Sequence, residues 1–344
     1  MSPKQITILE EAEFRMADRV RMKGYSFETL KSYRQWLRRY LIWLCDNPVG
    51  RSFTKEDPAN RKAETFLTYL ASTRVSSSTQ NGAFAALRFW YVEVLKVPFE
   101  NVNALRAKVG ERVRTAPSED EVRRLLTNIE DTKSHPCRLI ACLMYACGLR
   151  VNETLSIRLK DIDLENSKLV IQQGKGKKDR YVNLPHSLIE PLRNQARYAW
   201  RMHREIAASG IPLQLPNRLA VKYPKCRFSW KWMWLFPMAD ACADPFTGER
   251  VWWHCLDTTI QRAMADACGR MNMPGAITPH HLRHAWATHA HRAGATIRDL
   301  AEVLGHADIR TTMRYVTPDP ESVPSPFEKV AALLPSIIPF PKTA

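Results

Sequence analysis

The chain has 344 residues, 45% hydrophobic and 25% charged, which excludes a disordered or fibrous protein and suits about two globular domains. The net charge of +16 and the isoelectric point near 9.6 favour a polyanionic partner, nucleic acid ahead of an anionic membrane surface. The alternative is a generally basic soluble protein, because the basic excess is spread over both halves of the chain.

The cysteines and the apolar runs exclude several other classes of protein. Eight cysteines are scattered with no C-x-x-C pair and no Cys/His cluster at zinc spacing, so we expect reduced thiols and no structural metal. The N-terminus is too charged for a signal peptide, and the longest apolar run, residues 139–149, is about half of what a bilayer requires. We therefore expect a soluble, cytoplasmic protein.

Residues 8–95 have the apolar spacing of helices and predict a four-helix bundle. One helix also has a basic face, which is either solvated or in contact with phosphates. This face carries Lys31, Arg34 and Arg38. We assign residues 1–104 to an N-terminal helical domain. Residues 105–117 are basic and aperiodic, and we assign them to a linker.

A second domain is expected over residues 118–344, because Ser118 and Glu121 have the spacing of a capping box that begins a helix. Two short apolar runs flank a turn rich in glycine and lysine and predict a β-hairpin. The predicted strands are residues 168–173 and 180–185. Helices are predicted over residues 118–128, 134–147, 186–208, 254–272, 279–293, 297–304 and 308–315, with a shorter one from about 151. The expected fold class is mainly α with a small β-sheet.

Several polar residues of this domain are candidates for phosphate chemistry. Arg150 follows a glycine turn and has Glu153 three residues later to orient it. Lys175 lies at the hairpin tip, and His280 and Arg283 share one face at the start of a helix, where anions bind. His306 follows a glycine, and Tyr315 comes nine residues later. Each also has an ordinary structural explanation: a surface ion pair, a solvated turn, a structural histidine or a phenol at a helix end.

In this order, the six residues resemble the active site of the tyrosine recombinases, the phage integrase family. The resemblance covers nearly the whole chain, including "STQN" in an N-terminal domain that is SAM-like and core-binding in the family. It implies a C-shaped clamp on DNA in which Arg150 and Arg283 bind the scissile phosphate and Tyr315 attacks it. The products would be a 3′-phosphotyrosyl link and a free 5′-hydroxyl. Lys175 would protonate the leaving oxygen, His280 and His306 would assist, and no metal, ATP or other cofactor would be needed.

Residues 215–237 and 323–327 resemble segments of the integron integrases, with an insertion over about 203–253. This resemblance implies capture or excision of gene cassettes at folded single-stranded hairpin sites. The insertion's aromatic residues either stack on unpaired bases or form a core under the loop. They are Tyr223, Trp230, Trp232 and Trp234. The resemblance further implies a homotetramer on DNA, with residues 327–334 docking onto a neighbouring subunit.

Three alternatives remain at this stage. The chain is an ordinary phage- or Xer-like tyrosine recombinase that acts on duplex sites, or a DNA-binding accessory protein without catalysis. A type IB topoisomerase uses a similar set of arginine, lysine, histidine and tyrosine.

Overall fold

The structure is a computed structural model, and it describes residues 3–73, 75–107, 116–172, 179–215, 219–244, 247–273, 275–306 and 308–313. The chain divides into two compact units, Met1–Val113 and Arg114–Ala344. Three predicted functional features lie outside the described residues: Lys175, Tyr315 and the segment 323–334.

The first unit is helical, and its four long helices agree with the predicted bundle. They are α1 (Pro3–Met22), α2 (Phe27–Asp46), α4 (Ala59–Ser72) and α5 (Ser77–Arg88), with the short α3 (Pro48–Arg51) after α2. A π-helical segment, Phe89–Leu95, follows α5 directly. The Ser26 side chain accepts a hydrogen bond from the Thr29 backbone N–H and so caps α2.

The first unit extends into the segment predicted as a linker. Gln80 is buried, and its side-chain amide donates to the carbonyl oxygens of Leu67 (2.9 Å) and Leu105 (2.6 Å). Its amide oxygen accepts from the Ala107 N–H at 3.0 Å. The buried Gln80 side chain thus forms the hydrogen bonds that the backbone of residues 105–107 requires. These residues can therefore be ordered without the apolar spacing of a helix or strand. They belong with the first unit, beyond its predicted end at residue 104.

Two of the basic residues predicted for DNA contact are engaged within the first unit. Arg34 and Arg38 reach from α2 to the nearly buried Glu13 on α1, at 2.9 and 3.3 Å. Their side chains nevertheless remain about half exposed, and Lys31 is exposed beside them. The basic face is therefore anchored by a carboxylate from a neighbouring helix, which periodicity within α2 did not reveal.

The second unit is mainly helical and is built around a buried helix. Its helices are α6 (Glu119–Asn128), α7 (Cys137–Ala146), α8 (Val151–Leu155), α9 (His186–Ala208), α10 (Leu219–Lys222), α11 (Asp257–Arg270), α12 (Pro279–Arg292), α13 (Ile297–Leu304) and α14 (Ile309–Met313). Every residue of α7 except Arg138 is buried, and α6, α11 and α12 pack against this helix. The predicted capping box at Ser118 is present at the start of α6.

The predicted hairpin forms the larger part of a three-stranded antiparallel sheet. Its strands are β1 (Ile162–Asp163), β2 (Lys168–Ile171) and β3 (Arg180–Asn183), in that order. Leu169 pairs with Val182, and both face the core, whereas Tyr181 is exposed on the other face. The two-residue β1 was not predicted. A second small sheet, β4 (Cys242–Ala243) with β5 (Arg250–Val251), lies between residues 209 and 253, where the sequence predicted neither helix nor strand.

Candidate active site

Arg283 is the buried centre of the candidate site. It lies in the first turns of α12, where Thr278 is the N-cap and Pro279 begins the helix as predicted. Its side chain is only 2% exposed, and the guanidinium donates to the carbonyl oxygens of Gly148 and Leu304, each at 2.6 Å. Arg283 thus joins three separate segments: the turn after α7, the start of α12 and the end of α13.

Gly148 makes this meeting of segments sterically possible. Its φ of +60° lies in the left-handed region, which favours glycine. A Cβ atom at this position would lie 2.6 Å from Cε3 of the buried Trp286. Glycine therefore allows the chain to turn tightly over the Trp286 ring, and this turn leads directly into Arg150.

Arg150 is the N-cap residue of α8 and the more accessible arginine, with 42% of its side chain exposed. Its backbone N–H and its guanidinium both donate to Glu153, at 3.0 and 2.7 Å. The predicted orienting contact is therefore present. The fork of Arg150 has donors left for a ligand on its exposed side.

The Glu153 carboxylate contacts three guanidinium groups. Besides Arg150, it accepts from Arg180 at 2.7 and 3.2 Å, and Arg283 lies 3.7 Å away. Burial alone would raise the pKa of Glu153, but the hydrogen bonds from Arg180 and the Arg150 backbone, with the charges of both arginines, hold that pKa at about 2. Glu153 is therefore ionised at neutral pH and fixes the spacing of the arginines.

Arg180 is the residue of this cluster that sequence reasoning missed. It is the first residue of β3, is 7% exposed, and donates through Nε to the Val303 carbonyl at 2.7 Å. It therefore connects the base of the hairpin to α13 and to Glu153. The available signal was an arginine on the inward-facing register of a strand, where an unpaired charge is too costly to bury.

His306 completes the described part of the site. Gly305 ends α13 with a φ of +63°. The chain turns back at this point and places Nε2 of His306 3.1 Å from an Arg283 nitrogen. Its Nδ1 lies 2.9 Å from the Thr312 hydroxyl. Burial, followed by the charges of Arg283, Arg150 and Arg180, lowers the pKa of His306 to about 4, so the ring is neutral at neutral pH.

The two adjacent histidines at the start of α12 have different surroundings. Nδ1 of His281 accepts a hydrogen bond from the Thr278 backbone N–H at 3.1 Å, so His281 caps the helix. His280 is exposed one helical turn before Arg283. This division agrees with the choice of His280, not His281, as the functional candidate, although its role stays a prediction.

The four aromatic candidates of the insertion are not equivalent. Trp234 is buried, with the Arg158 guanidinium 3.4 Å from its ring centroid and its indole N–H donating to the Trp252 carbonyl. Of the two alternatives for these aromatic residues, Trp234 fits the core under the loop, because its ring packs against a buried arginine. Trp232 is partly buried against the core. Trp230 and Tyr223 remain about half exposed.

Trp230 also lines a cleft of about 540 Å³ on the second unit. A second exposed indole, Trp200 on α9, lines the same cleft, together with apolar residues such as Leu164 and with charged residues of both signs. The charged residues are Asp163, Glu165, Arg193 and Arg197. The exposed aromatic rings are suited to stacking on a planar ligand such as a base, and acidic and basic side chains both line the cleft.

Two further properties concern the described part of the chain only. In it, no group of three or more histidine, cysteine, aspartate or glutamate side chains is placed to hold a metal ion. None of the helices described there has the length and apolar character to cross a membrane.

A helical unit is followed by an α+β unit in which arginines from separate segments meet beside a histidine, an arrangement that is suited to binding an anion such as a phosphate. Comparison with known proteins identifies the family. Residues 117–322 match the phage integrase family, and residues 14–101 match the N-terminal SAM-like domain of phage integrases. The chain therefore belongs to the phage integrase family and is a tyrosine site-specific recombinase.

Similar proteins cover most of the chain. An integrase/recombinase of Escherichia coli is 35% identical over 308 residues, 87% of each chain. A putative integrase/recombinase of Sinorhizobium fredii is 32% identical over 337 residues, 96% of this chain and 91% of the relative. The tyrosine recombinase XerA of Thermococcus kodakarensis is 28% identical over 302 residues, 86% of each chain.

Two solved structures share the fold. The Tn1549 transposon integrase in complex with transposon right end DNA has a TM-score of 0.59 and 14% identity, covering 90% of this chain and 95% of the other. The XerH site-specific recombinase bound to palindromic difH substrate has a TM-score of 0.57 and 19% identity, covering 86% and 78%.

Proposed function

We propose that the arginine cluster binds the scissile phosphate of DNA and that Tyr315 cleaves the strand. The observation that carries this proposal is the meeting of Arg150 and Arg283 on one carboxylate, with neutral His306 beside them. Two guanidinium forks held by Glu153 are suited to the non-bridging oxygens of a phosphodiester. The net charge of +16 supports a long polyanionic substrate.

The proposed reaction exchanges one phosphoester bond for another. The Tyr315 oxygen forms a bond to phosphorus as its proton passes to a neighbouring histidine or to water, and the bond from phosphorus to the 5′-oxygen breaks. Lys175 protonates that oxygen to give a free 5′-hydroxyl, while the 3′-phosphate stays on the tyrosine. The arginines stabilise the negative charge that develops on the phosphate, and His280 and His306 assist. The reverse reaction with a different 5′-hydroxyl completes strand exchange.

Replacing the proposed nucleophile tests this reaction. Tyr315→Phe should abolish the covalent protein–DNA adduct on a nicked suicide substrate while DNA affinity stays within about twofold, since the phenol oxygen contributes to chemistry more than to binding. Cleavage by the variant would refute the assignment. If the unchanged protein formed no adduct, the chain would act as a DNA-binding accessory protein.

We further propose that the enzyme is an integron integrase that recombines folded hairpin sites. The support is the resemblance of residues 215–237, together with the exposed Trp230 and Tyr223 and the cleft that Trp230 shares with Trp200. An indole in such a cleft can stack on an unpaired base, a contact worth about 1–3 kcal/mol.

Hairpins that differ only in their unpaired bases test the integron proposal. The protein should bind the bulged hairpin at least about tenfold more tightly than the same hairpin without bulges, and Trp230→Ala should remove most of that difference. Trp230→Phe is the matched control, since it keeps a stacking ring. Equal affinity for both hairpins would contradict the integron proposal.

The second candidate function is Xer-like recombination at duplex sites. The similarity to Xer recombinases such as XerA over 86% of the chain supports it. This candidate predicts equal binding to both hairpins and recombination between two duplex sites. Relaxation of supercoiled plasmid without recombination would instead indicate a topoisomerase.

The first unit is proposed to bind the same DNA, and the active assembly to be a tetramer. Of its basic face, Lys31 is the exposed residue whose side chain is not held by Glu13. Lys31→Gln should reduce the slope of log affinity against log salt by about 1 if it contacts a phosphate. An unchanged slope would remove Lys31 from the contact surface. Mass measurement of the complex on paired sites would test the tetramer.

A further inference from the structure

A second side chain lies against the histidine of the site. Thr312 on α14 is fully buried, and its Oγ1 lies 2.9 Å from Nδ1 of His306. On the other edge of the ring, Nε2 lies 3.1 Å from an Arg283 nitrogen. Both ring nitrogens of His306 therefore have polar partners, and only one of these partners is able to change its hydrogen-bonding role.

The Arg283 contact and the Thr312 hydroxyl together hold the ring proton on one nitrogen in the free protein. A guanidinium nitrogen only donates hydrogen bonds, so Nε2 of His306 accepts and carries no hydrogen. The hydrogen of the neutral ring is then on Nδ1 and is donated to the Thr312 hydroxyl. Arg150, Arg180 and Glu153 also face this ring, and their combined charge is positive.

A phosphate in the site would require the opposite arrangement. Its oxygens would compete for the Arg283 hydrogens that now point at His306 and would leave the bare Nε2 lone pair facing an anion. The ring assists a phosphate only with a hydrogen on Nε2. The neutral ring reaches this form when Nε2 takes a proton from water and Nδ1 returns one to water, with no change in net charge. Nδ1 then needs a donor.

We propose that Thr312 is a positioning residue that supports both forms of His306. Its hydroxyl accepts from Nδ1–H in the free protein and, after rotation about its C–O bond, donates to Nδ1 when Nε2–H points at the phosphate. A hydroxyl has this double capacity, whereas a methyl group has neither role. The inference rests on the proposed function, in which His306 faces the scissile phosphate.

Nitrogen chemical shifts of histidine test the hydrogen bond without any reaction. In full-length protein labelled with ¹⁵N-histidine, the signals of His306 are identified by their loss in His306→Gln. At pH 7.5 they should show the Nδ1–H form in the free protein, and Thr312→Val should shift them towards a mixture of the two forms, while Thr312→Ser keeps them. A free protein with His306 in the Nε2–H form, or Thr312→Val shifts identical to the unchanged protein, would overturn the proposal.

Single-turnover cleavage tests the consequence for the reaction. Thr312→Val should slow cleavage by about 5- to 100-fold, the effect of leaving one buried polar group unsatisfied, with DNA affinity unchanged. Thr312→Ser should stay within about threefold. Equal slowing by both variants would overturn the proposal, since the hydroxyl would then not be the group that matters. If His306→Gln cleaved normally, the role of His306 in the proposed function would fail, while the chemical shifts would still decide the Thr312 contact.

Discussion

Replacing Glu153 with glutamine removes the negative charge that the three arginines share while preserving the size of the side chain. Glu153 is 14% exposed and accepts from Arg150 at 2.7 Å and from Arg180 at 2.7 and 3.2 Å. Arg180 and Arg283 are themselves buried. Glutamine would leave these guanidinium groups without their counter-charge.

The size of the effect follows from the pKa of the carboxyl group. The environment lowers the pKa of Glu153 from 4.5 to about 2, which corresponds to about 3 kcal/mol in favour of the folded state. Because the folded pKa lies below the unfolded one, this contribution is complete above the unfolded pKa and disappears as pH falls through the folded pKa. Glu153→Gln should therefore lower the free energy of unfolding by about 3 kcal/mol at pH 7.5.

Urea denaturation of the full chain measures this loss as a shift of the midpoint by about 1 M. The shift should shrink steadily as the pH is lowered from about 4.5 towards 2, since the unchanged protein then loses the same charge. Glu190→Gln is the matched control: Glu190 also pairs with two arginines, but its side chain is 60% exposed, so the cost should stay below about 1 kcal/mol. Equal effects of the two variants would refute the reasoning.

Three further predictions concern the scaffold of the site. Gly148→Ala should lower the free energy of unfolding, measured by urea denaturation, by about 3 kcal/mol or more, because of backbone strain and the overlap with Trp286. Gly210 has a φ of +70° but open space around it, so Gly210→Ala should lower the same free energy by only about 1–2 kcal/mol. Arg158→Lys should lower the free energy of unfolding by about 1–3 kcal/mol and increase proteolytic cutting within residues 209–253. Lysine cannot reach both the Trp232 and Gln214 carbonyls, and it does not stack on the Trp234 ring as arginine does. Burial and the nearby arginines lower the pKa of His306 to about 4, so between pH 6.5 and about 4 the unfolded chain binds more protons than the folded chain. The free energy of unfolding should therefore fall as the pH is lowered through this range, and it should fall less in His306→Gln.

Local features of the sequence were sufficient for most of the described architecture. The predicted helix over 186–208 agrees with α9, and the predicted helix over 297–304 agrees with α13. The spacing of three residues between His280 and Arg283 placed both on the first turns of α12. These predictions succeeded because caps, turns and periodicity act over a few neighbouring residues, and the structure preserves those relations.

Interactions between distant segments were the part that the sequence did not reveal. Arg180 and Glu153 are 27 residues apart and meet only because the fold brings the hairpin, which packs against α13, beside α8. Arg158 belongs to none of the motifs identified in the sequence, yet it is buried and donates to the Trp232 and Gln214 carbonyls. A single sequence carries no periodic signal for a buried ion pair or for an arginine that holds an insertion in place.

The charge balance of the cluster has a consequence for the proposed reaction. Three guanidinium groups around one carboxylate leave a net of two positive charges among these four side chains. A phosphodiester carries one negative charge, and it gains a second in the pentavalent transition state. The cluster therefore matches the transition state more closely than the bound substrate, which is the condition for accelerating the chemical step. A neutral His306 leaves this net charge of the cluster unchanged. The depressed pKa of His306 and the ionised Glu153 are thus two parts of one electrostatic arrangement.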